Sequence, residues 1–281
     1  MNRSDIKKIL KTNALAPKKK LGQNFLVHQA TSERIVELAG VTEEDTVFEI
    51  GVGLGSLTVP LARRAKRVIG LEVDAGIVRY HQENDSLPAN ATLIHEDILK
   101  TDFTRLAAES GGPLKIIANL PYSISNPLLF KFLEHKEIMS WAVLMLQKEV
   151  GMRLCAAPGT KEYGILSVLF AACATVKDLL HVSPEQFHPR PKVDSVVVKI
   201  SFHPPTRTDY DPELLVKVVK TGFQKRRKTL INCLSSSHLL AMTKEQATQA
   251  LKETGISLKA RGETLTIDDY IRLTKTIQPL L

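Results

Sequence analysis

Cysteine is rare in this chain of 281 residues, and its three copies limit the kinds of site that the protein can hold. Cys155, Cys173 and Cys233 lie far apart, without the paired spacing of a zinc site or a disulfide framework. The eight histidines are scattered, and none pairs with a cysteine at such a spacing. We therefore expect no metal ion and a reducing compartment, which points to the cytoplasm.

Long apolar runs are also missing. No stretch reaches the ~18 apolar residues of a transmembrane helix, and the N-terminus is too polar for a secretory signal peptide. A mitochondrial transit peptide fits poorly because Asp5 interrupts the basic N-terminal segment. Hydrophobic residues still make up 43% of the chain, enough for a substantial core, so a globular protein without a membrane partner is predicted.

The net charge of +8 is concentrated at the two ends of the chain. Residues 1–20 carry +6 and residues 202–281 carry +5, whereas residues 21–201 carry −3. Solvated surface explains a basic segment as readily as a partner does, but a polyanion such as nucleic acid accounts for both ends. An anionic membrane would also suit them, yet no amphipathic basic helix with exposed aromatics is predicted.

Strand-like and helical segments alternate between residues 29 and 147, which indicates a parallel, doubly wound α/β sheet. The predicted strands of this part are 46–50, 67–73, 91–95, 115–119 and 141–146. Two later segments, Ala174–Val182 and Val193–Phe202, predict a final antiparallel pair.

A segment rich in Pro and Asp, His203–Pro212, is typical of a linker. We therefore expect one α/β domain over residues 1–203, with 1–20 as a basic N-terminal extension, and a small helical domain over 204–281. The helices predicted in the second domain are Glu213–Leu234, Thr243–Thr254 and Ile267–Thr276.

Three alternating glycines follow the first strand of the predicted sheet. Gly51, Gly53 and Gly55, in EIGVGLGSLT, permit a sharp turn and a close approach of the backbone to a ligand. The spacing GxGxG differs from the GxGxxG that a pyrophosphate cofactor prefers, so a nicotinamide oxidoreductase is disfavoured. Glu49 at the strand end suits a ligand with a positive amino group better than a phosphate.

Carboxylates also follow the next two predicted strands. Glu72 stands where α/β sheets place a carboxylate for a ribose diol, and a carboxylate of Glu96-Asp97 can accept from the amine of adenine. Each acid alone is more often a solvated surface charge. Together, beside the glycine loop, they predict a nucleoside pocket without a phosphate-binding signature, which S-adenosylmethionine fits.

The fourth predicted strand runs into Asn119-Leu120-Pro121-Tyr122. Asn119 offers a side-chain carbonyl oxygen, Pro121 leaves the Leu120 carbonyl without a following N–H, and Tyr122 offers a flat face. A planar base that carries an amino group needs two acceptors and an aromatic wall. Taken alone, the segment is equally compatible with an ordinary strand-to-helix turn.

These motifs resemble a known family. NLPY is the [DNS]-[IPL]-P-[YF] motif of amino-methyltransferases, and with LGQNFL it resembles the small-subunit rRNA adenine dimethyltransferases, the KsgA family, which are cousins of the Erm enzymes. Further matches along nearly the whole chain are EIGVGLGSLT, EDIL, SNPLLFK, MLQKEV, FHPRPKVDSVV and GFQKRRKTLINCL.

The resemblance implies a Rossmann-like, S-adenosylmethionine-dependent methyltransferase sheet with a small all-helical C-terminal domain. It implies dimethylation at N6 of two adjacent adenosines in the 3′-terminal hairpin of small-subunit rRNA, with a role in small-subunit biogenesis. A cytoplasmic protein that acts as a monomer is expected. Alternatives are an Erm-type enzyme of large-subunit rRNA and a non-catalytic assembly factor that only binds RNA.

Residue roles follow from the same resemblance. Asn24, Leu26 and Gly51 are expected beside the methionine part of S-adenosylmethionine, Glu72 at its ribose and Asp97 at its adenine amine. The target adenine is expected to contact four residues: Asn119, Leu120, Tyr122 and Phe187. Asn119 is also expected to border the cofactor.

The expected RNA platform comprises the C-terminal helices and the basic run Lys225, Arg226, Arg227 and Lys228. Two departures from the family pattern stand out. Val52 replaces the usual Pro, which is expected to loosen the glycine loop, and Gly151-Met152 replaces a common Ala-Glu. Neither departure is expected to abolish activity.

Overall fold

The alternating apolar segments form a seven-stranded sheet in the computed structural model, which describes residues 2–204, 209–225 and 227–281. The strands are β1 (Phe25–Leu26), β2 (Thr46–Ile50), β3 (Arg67–Glu72), β4 (Ala91–His95), β5 (Leu114–Asn119), β6 (Met139–Gln147), β7 (Ala174–Val182), β8 (Phe187–His188) and β9 (Ser195–Phe202). Their order in the sheet is β4-β3-β2-β5-β6-β9-β7, and β1 pairs antiparallel with β8 beside it.

The pairs from β4 through β6 are parallel, and β6 pairs antiparallel with β9. The predicted strands therefore lie within two residues of those observed, and the α/β fold class is confirmed. The last two predicted strands are neighbours in the sheet, as β7 and β9.

Helices precede, connect or follow these strands along the chain. They are α1 (Arg3–Thr12), α2 (Gln29–Ala39), α3 (Thr58–Ala62), α4 (Ala75–Asn84), α5 (Phe103–Ser110), α6 (Ser125–Glu134), α7 (Lys148–Leu154), α8 (Ile165–Ala171), α9 (Pro212–Gly222), α10 (Leu230–Ser235), α11 (Lys244–Glu253) and α12 (Ile267–Ile277). None of the helices in the described parts of the chain combines the length and apolar character that a bilayer crossing requires.

The chain divides into two compact units. The first comprises Met1–Gly151 and Lys177–Phe202, and the second comprises Met152–Val176 and His203–Leu281. Residues 152–176 were expected in the first domain, whereas in the structure they belong to the second unit with the C-terminal helices. One cause is Tyr163, whose hydroxyl donates to the Leu265 carbonyl at 2.9 Å.

The basic N-terminal extension begins as a helix, α1, that packs on the first unit. Asn2 and Asp5 form a capping box at its start. Its buried residues, Ile6 and Leu10, join an apolar cluster with Phe25, Val27, Leu54 and Ile77. The lysines of α1 remain exposed, so one face of the helix is apolar and buried while the other is cationic.

The prediction of one helix over Glu213–Leu234 is wrong, because the structure has two helices there. A Cβ atom at Gly222, where α9 ends, would lie 2.4 Å from the hydroxyl of buried Tyr270. The chain turns after this close contact, and the Lys228 amide donates to the Lys225 carbonyl at 2.8 Å. The basic run therefore lies in the loop between α9 and α10.

Candidate active site

The carboxyl ends of the parallel strands border one cavity of about 200 Å³ in the first unit. The glycine loop, the LGQNFL segment and the NLPY segment all contribute to its wall. The sequence-predicted residues that line it are Asn24, Leu26, Gly51, Glu72, Asp97, Asn119, Leu120, Tyr122 and Phe187. The topology thus brings together every residue expected to bind a cofactor or a target base.

The glycine loop supplies a close backbone approach to the cavity. Gly51 has φ +76°, and the nearest atom to a Cβ placed there is the Asn119 carbonyl oxygen at 3.9 Å. Gly53 has φ +54°, and a Cβ there would meet the Phe25 ring at 3.2 Å. Both positions therefore favour glycine for conformation, and Gly51 leaves its space open to a ligand.

Val52, which stands where the family usually has proline, is packed against the sheet. It is 3% exposed, and its side chain occupies the space above Gly70 of β3. A Cβ on Gly70 would lie 2.3 Å from Val52 Cγ2. The valine therefore anchors the loop by packing where proline would do so by fixing φ.

Glu72 is held rigidly at the cavity wall. The Gly53 amide donates to Glu72 Oε2 at 3.0 Å, and the Asp74 amide donates to Oε1 at 2.9 Å. Burial and the adjacent Asp74 carboxylate raise the pKa of Glu72, while the backbone donors favour its charged form. Each oxygen keeps a further lone pair, so the fixed carboxylate can accept from both hydroxyls of a ribose.

His81 supports the glycine loop from α4. Its Nε2 lies 2.7 Å from the Gly53 carbonyl oxygen, and its Nδ1 lies 2.6 Å from Ser86 Oγ. Burial lowers the pKa of His81, so the neutral imidazole with a proton on Nε2 is the form that donates to Gly53. Gly53 thus contacts Glu72 through its amide and His81 through its carbonyl.

The LGQNFL segment is held at the strand ends by hydrogen bonds that were not predicted. Asp74 accepts from Lys18 Nζ at 2.5 Å and from Gln23 Nε2 at 2.9 Å. The two donor residues lie more than fifty positions from Asp74 along the chain, so no local pattern predicts these bonds. The β1–β8 pairing then sets Leu26 opposite Phe187.

The NLPY segment presents two carbonyl oxygens. Asn119 Nδ2 donates to the Asn24 carbonyl at 2.9 Å, which assigns the amide orientation and leaves Oδ1 as an acceptor. The Leu120 amide donates to the Met145 carbonyl at 3.2 Å, and its own carbonyl precedes Pro121. The backbone of Leu120 is therefore fixed on β6.

Tyr122 and Phe187 are the two predicted base-stacking residues, and both line the cavity together with a third aromatic residue, Phe25. The Tyr122 hydroxyl lies 3.0 Å from Ser195 Oγ, and burial raises the pKa of Tyr122, which keeps the phenol protonated. Phe187 is 1% exposed and packs in the apolar core with Leu26. A base can therefore reach Tyr122 more readily than Phe187 in this conformation.

Asp97 and Glu96 have different surroundings. Glu96 pairs with Arg105 at 2.5 Å, whereas Asp97 Oδ1 accepts from the Leu99 amide at 3.0 Å. Among the described residues no other side chain bonds to the Asp97 carboxylate. Of the two acids in EDIL, Asp97 is therefore the one available to an exocyclic amine.

Glu49 is a buried acid at the cavity wall, with 1% exposure. Its Oε2 has no hydrogen-bond partner within the described parts of the chain. Burial, with the Glu72 carboxylate nearby, raises the pKa of Glu49 to about 8. An orphaned buried acceptor is costly, and a cationic ligand group would satisfy it.

The predicted RNA platform belongs to the second unit, and none of its described residues lines the cavity. Lys225, Arg227 and Lys228 are exposed residues of the second unit, and Arg226 lies outside the described residues. The described residues contain no group of three or more His, Cys, Asp or Glu side chains arranged to hold a metal ion.

Comparison with known proteins bears on this site. The family model "Ribosomal RNA adenine dimethylase" matches residues 14–279. A protein of Desulfotalea psychrophila named ribosomal RNA small subunit methyltransferase A is 50% identical over 96% of this chain and 94% of its own length. A protein of the same name from Alkaliphilus metalliredigens is 41% identical over 95% of this chain and 96% of its own length.

Solved structures agree with the sequence relatives. A dimethyladenosine transferase from Plasmodium falciparum has a TM-score of 0.71 and 26% identity, over 89% of this chain and 95% of its own. The 23S rRNA methyltransferase ErmE has a TM-score of 0.67 and 23% identity, over 91% of this chain and 100% of its own, which shows a shared fold. The family resemblance read from the motifs is confirmed, and the chain belongs to the ribosomal RNA adenine dimethylase family.

Proposed function

We propose that this protein transfers methyl groups from S-adenosylmethionine to N6 of adenosines in small-subunit rRNA. The names of its close relatives support the small-subunit rRNA as substrate. The observation that carries the proposal is the convergence of the NLPY acceptors, the glycine loop and Glu72 on one cavity. Two adjacent adenosines near the 3′ end, each dimethylated, are the target that the motif resemblance implies.

The cavity fits the donor in charge and shape. Gly51 leaves space for the methionine part, Glu72 offers two oxygens to the ribose, and Asp97 offers one to the adenine amine. The orphaned Oε2 of Glu49 suits the positive amino group, whose charge favours ionisation of this carboxyl and opposes the effect of burial on its pKa. When bound, S-adenosylmethionine supplies an electrophilic methyl group on a sulfonium, and the residues around it position the acceptor nitrogen.

The difficult part of the reaction is the nucleophile, because the lone pair of an adenine N6 is delocalised into the ring. Asn119 Oδ1 and the Leu120 carbonyl accept the two amine protons, which favours a tetrahedral nitrogen and stabilises its developing positive charge. Tyr122 supplies a stacking face worth ~1–3 kcal/mol. No strong general base is needed, since the proton leaves after the transfer.

Phe187 is proposed to form the other face of the base site. Because its ring is 1% exposed, stacking on it requires the neighbouring wall of the cavity to move when the base enters. Arg3 holds this strand from α1, since its guanidinium donates to the Glu185 carbonyl at 2.8 Å. The N-terminal helix thus supports the base site from behind.

The chain-end charges support contact with RNA. Lys225, Arg226, Arg227 and Lys228 are proposed to meet phosphates, together with the exposed lysines of α1. All the proposed donor and base residues come from one chain, which supports action as a monomer. A small-subunit rRNA substrate supports the cytoplasm as the place of action.

Nucleoside mass spectrometry tests the proposal directly. The protein is incubated with S-adenosylmethionine and with unmodified small or large ribosomal subunits. Dimethyladenosine in the small subunit alone is the expected result. Modification of the large subunit instead would indicate an Erm-type enzyme, and tight binding without modification would indicate an assembly factor.

A further inference from the structure

The loop after β4 forms the wall of the cavity around Asp97. Ile98 and Leu99 of this loop line the cavity, whereas Lys131 of α6 does not line it and approaches the loop from behind. Lys131 Nζ donates to three backbone carbonyls of this loop, at 3.1 Å to Ile98, 3.0 Å to Leu99 and 2.5 Å to Thr101. One side chain therefore holds three points of one short loop.

The contact satisfies the ammonium completely. A lysine ammonium has three N–H donors, and the three loop carbonyls accept all of them. The Nζ atom also lies 4.8 Å from the centroid of the Phe103 ring, within the range of a cation–π interaction. No ion pair joins Lys131 to a carboxylate within the described residues. Four carboxylates act on its charge from a greater distance, those of Asp97, Glu134, Asp102 and Glu96, while its three donors bond to the loop backbone.

The peptide group between Ile98 and Leu99 transmits this contact to Asp97. Its carbonyl, that of Ile98, accepts from Lys131 at 3.1 Å, while its N–H, that of Leu99, donates to Asp97 Oδ1 at 3.0 Å. The Thr101 hydroxyl also donates to the Asp97 carbonyl at 3.0 Å, which closes the turn. Because Lys131 holds the loop backbone in place, it also fixes the direction of the Asp97 carboxylate.

We infer that Lys131 is a positioning residue for the methyl donor: it holds the loop that orients Asp97 toward the adenine amine. The inference rests on the proposed function, in which Asp97 accepts from that amine. It explains why a lysine at the end of SNPLLFK, a segment that follows the target-base motif, acts on the other ligand of the cavity.

Lys131→Met removes the donors and keeps the length of the side chain. We expect the Kd for S-adenosylhomocysteine, by calorimetry, to rise about 10-fold, the equivalent of one oriented hydrogen bond. S-inosylhomocysteine has an oxygen in place of the amine and should show little change. The KM for the donor should rise while kcat at saturating donor and the KM for RNA stay within about twofold.

Lys100→Met is the matched control, because Lys100 is an exposed lysine of the same loop. It should leave the affinities for both ligands unchanged. Asp97→Ala should weaken the adenosyl ligand, and adding Lys131→Met to it should cause no further loss, since the two act through one contact. If Lys131→Met does not fold, Lys131→Arg should show the same ligand selectivity with a smaller loss.

Two results would overturn the inference alone: equal weakening of both ligands by Lys131→Met, or no weakening where Asp97→Ala weakens binding. Additive losses in the double variant would also overturn it. Unchanged affinity in Asp97→Ala would remove the proposed placement of adenine at Asp97, and the Lys131 inference with it. The single variants therefore separate failure of the inference from failure of the proposed function.

Discussion

Among single residues, Asn119 performs two tasks with one amide group. Its nitrogen donates to the Asn24 carbonyl at 2.9 Å and secures the LGQNFL segment, and its oxygen is thereby turned into the acceptor for a target amine. A serine or aspartate in the same motif cannot combine these roles in the same way. The residue therefore links the segment beside the donor to the base site.

We predict that Asn119→Ala lowers kcat about 100-fold, because one of the two acceptors that stabilise the amine in the transition state is lost. Donor affinity should change by no more than about threefold, since Glu72 and Asp97 remain in place. Single-turnover kinetics and calorimetry measure the two effects. Asn84→Ala, at the exposed end of α4, is the control for the same truncation. Undiminished turnover would disprove the acceptor role.

Glu49 gives the stability of the protein a dependence on pH. Burial raises its pKa to about 8 in the folded chain, against 4.5 for an ordinary glutamate side chain. The folded protein therefore holds a proton that the unfolded chain releases, and this contribution, fully present below pH 4.5, is lost as pH rises through about 8.

Glu49→Gln should flatten the fall in the free energy of unfolding between about pH 5 and 8, by at most about 1.4 kcal/mol per pH unit. Urea unfolding at several pH values measures this slope. Exposed Glu44→Gln is the matched control and should keep the slope of the parent protein. Parallel pH curves for the parent and Glu49→Gln would show that Glu49 is ionised in the fold.

Among the helices and strands, α7 and β9 meet at unusually close range. A Cβ atom at Gly151 of α7 would lie 2.1 Å from Val196 Cγ1 of β9, so the departure from the family's alanine has a local cause. Val196 is fully buried and cannot swing into solvent. Glycine costs helix propensity here, and close packing outweighs that cost.

We predict that Gly151→Ala lowers the free energy of unfolding by about 1–3 kcal/mol, because overpacking exceeds the propensity gain of ~1 kcal/mol. Val196→Ala alone should also destabilise, through a cavity. The double variant should be more stable than the sum of the two losses implies, because the alanine at position 196 leaves room for the methyl group of the alanine at position 151. Chemical unfolding of the four proteins checks the coupling. Strict additivity would contradict it.

The sheet was predictable because each strand is a short apolar run whose neighbours in sequence are turn formers. The glycine loop, the acids at the strand ends and the NLPY segment also follow from local pattern, whereas Asn24, Leu26 and Phe187 were expected only from the family resemblance. What local pattern could not supply is the support behind them. Lys18 and Gln23 on Asp74, His81 on Gly53 and the interruption after Gly222 all depend on partners that only the fold brings near.

Taken as a whole, the chain concentrates its net positive charge in its two terminal segments, and Lys20 of the first segment lines the cavity. The N-terminal segment with its net +6 includes α1, whose apolar face is buried while Lys7, Lys8 and Lys11 are exposed. The cavity itself is bordered by Glu49, Glu72 and Asp97 and suits a cationic donor. In the proposed function, the two substrates therefore meet different charges. The basic chain ends meet the RNA, a polyanion, and the cavity acids meet the sulfonium of the donor.

This separation predicts strong salt dependence for RNA and not for the donor product. With about six phosphate contacts, log Kobs for small-subunit rRNA should fall with log salt at a slope of about −4 to −5. Replacing Lys7, Lys8 and Lys11 with Gln should make the slope shallower by about 2 to 3 while S-adenosylhomocysteine affinity is unchanged. Titrations at four salt concentrations give the slopes.

The basic run of the second unit is tested in the same way. Gln at Lys225, Arg227 and Lys228 should make the slope shallower by a similar amount, about 2 to 3, and combining both sets should approach the slope of a nearly uncharged contact. Three exposed lysines from residues 21–201, the part with net negative charge, serve as the charge-matched control: Lys66, Lys100 and Lys177. A parent slope near −1, or an equal loss from the control, would mean that the chain ends do not track phosphates and that rRNA is bound through the cavity mouth alone.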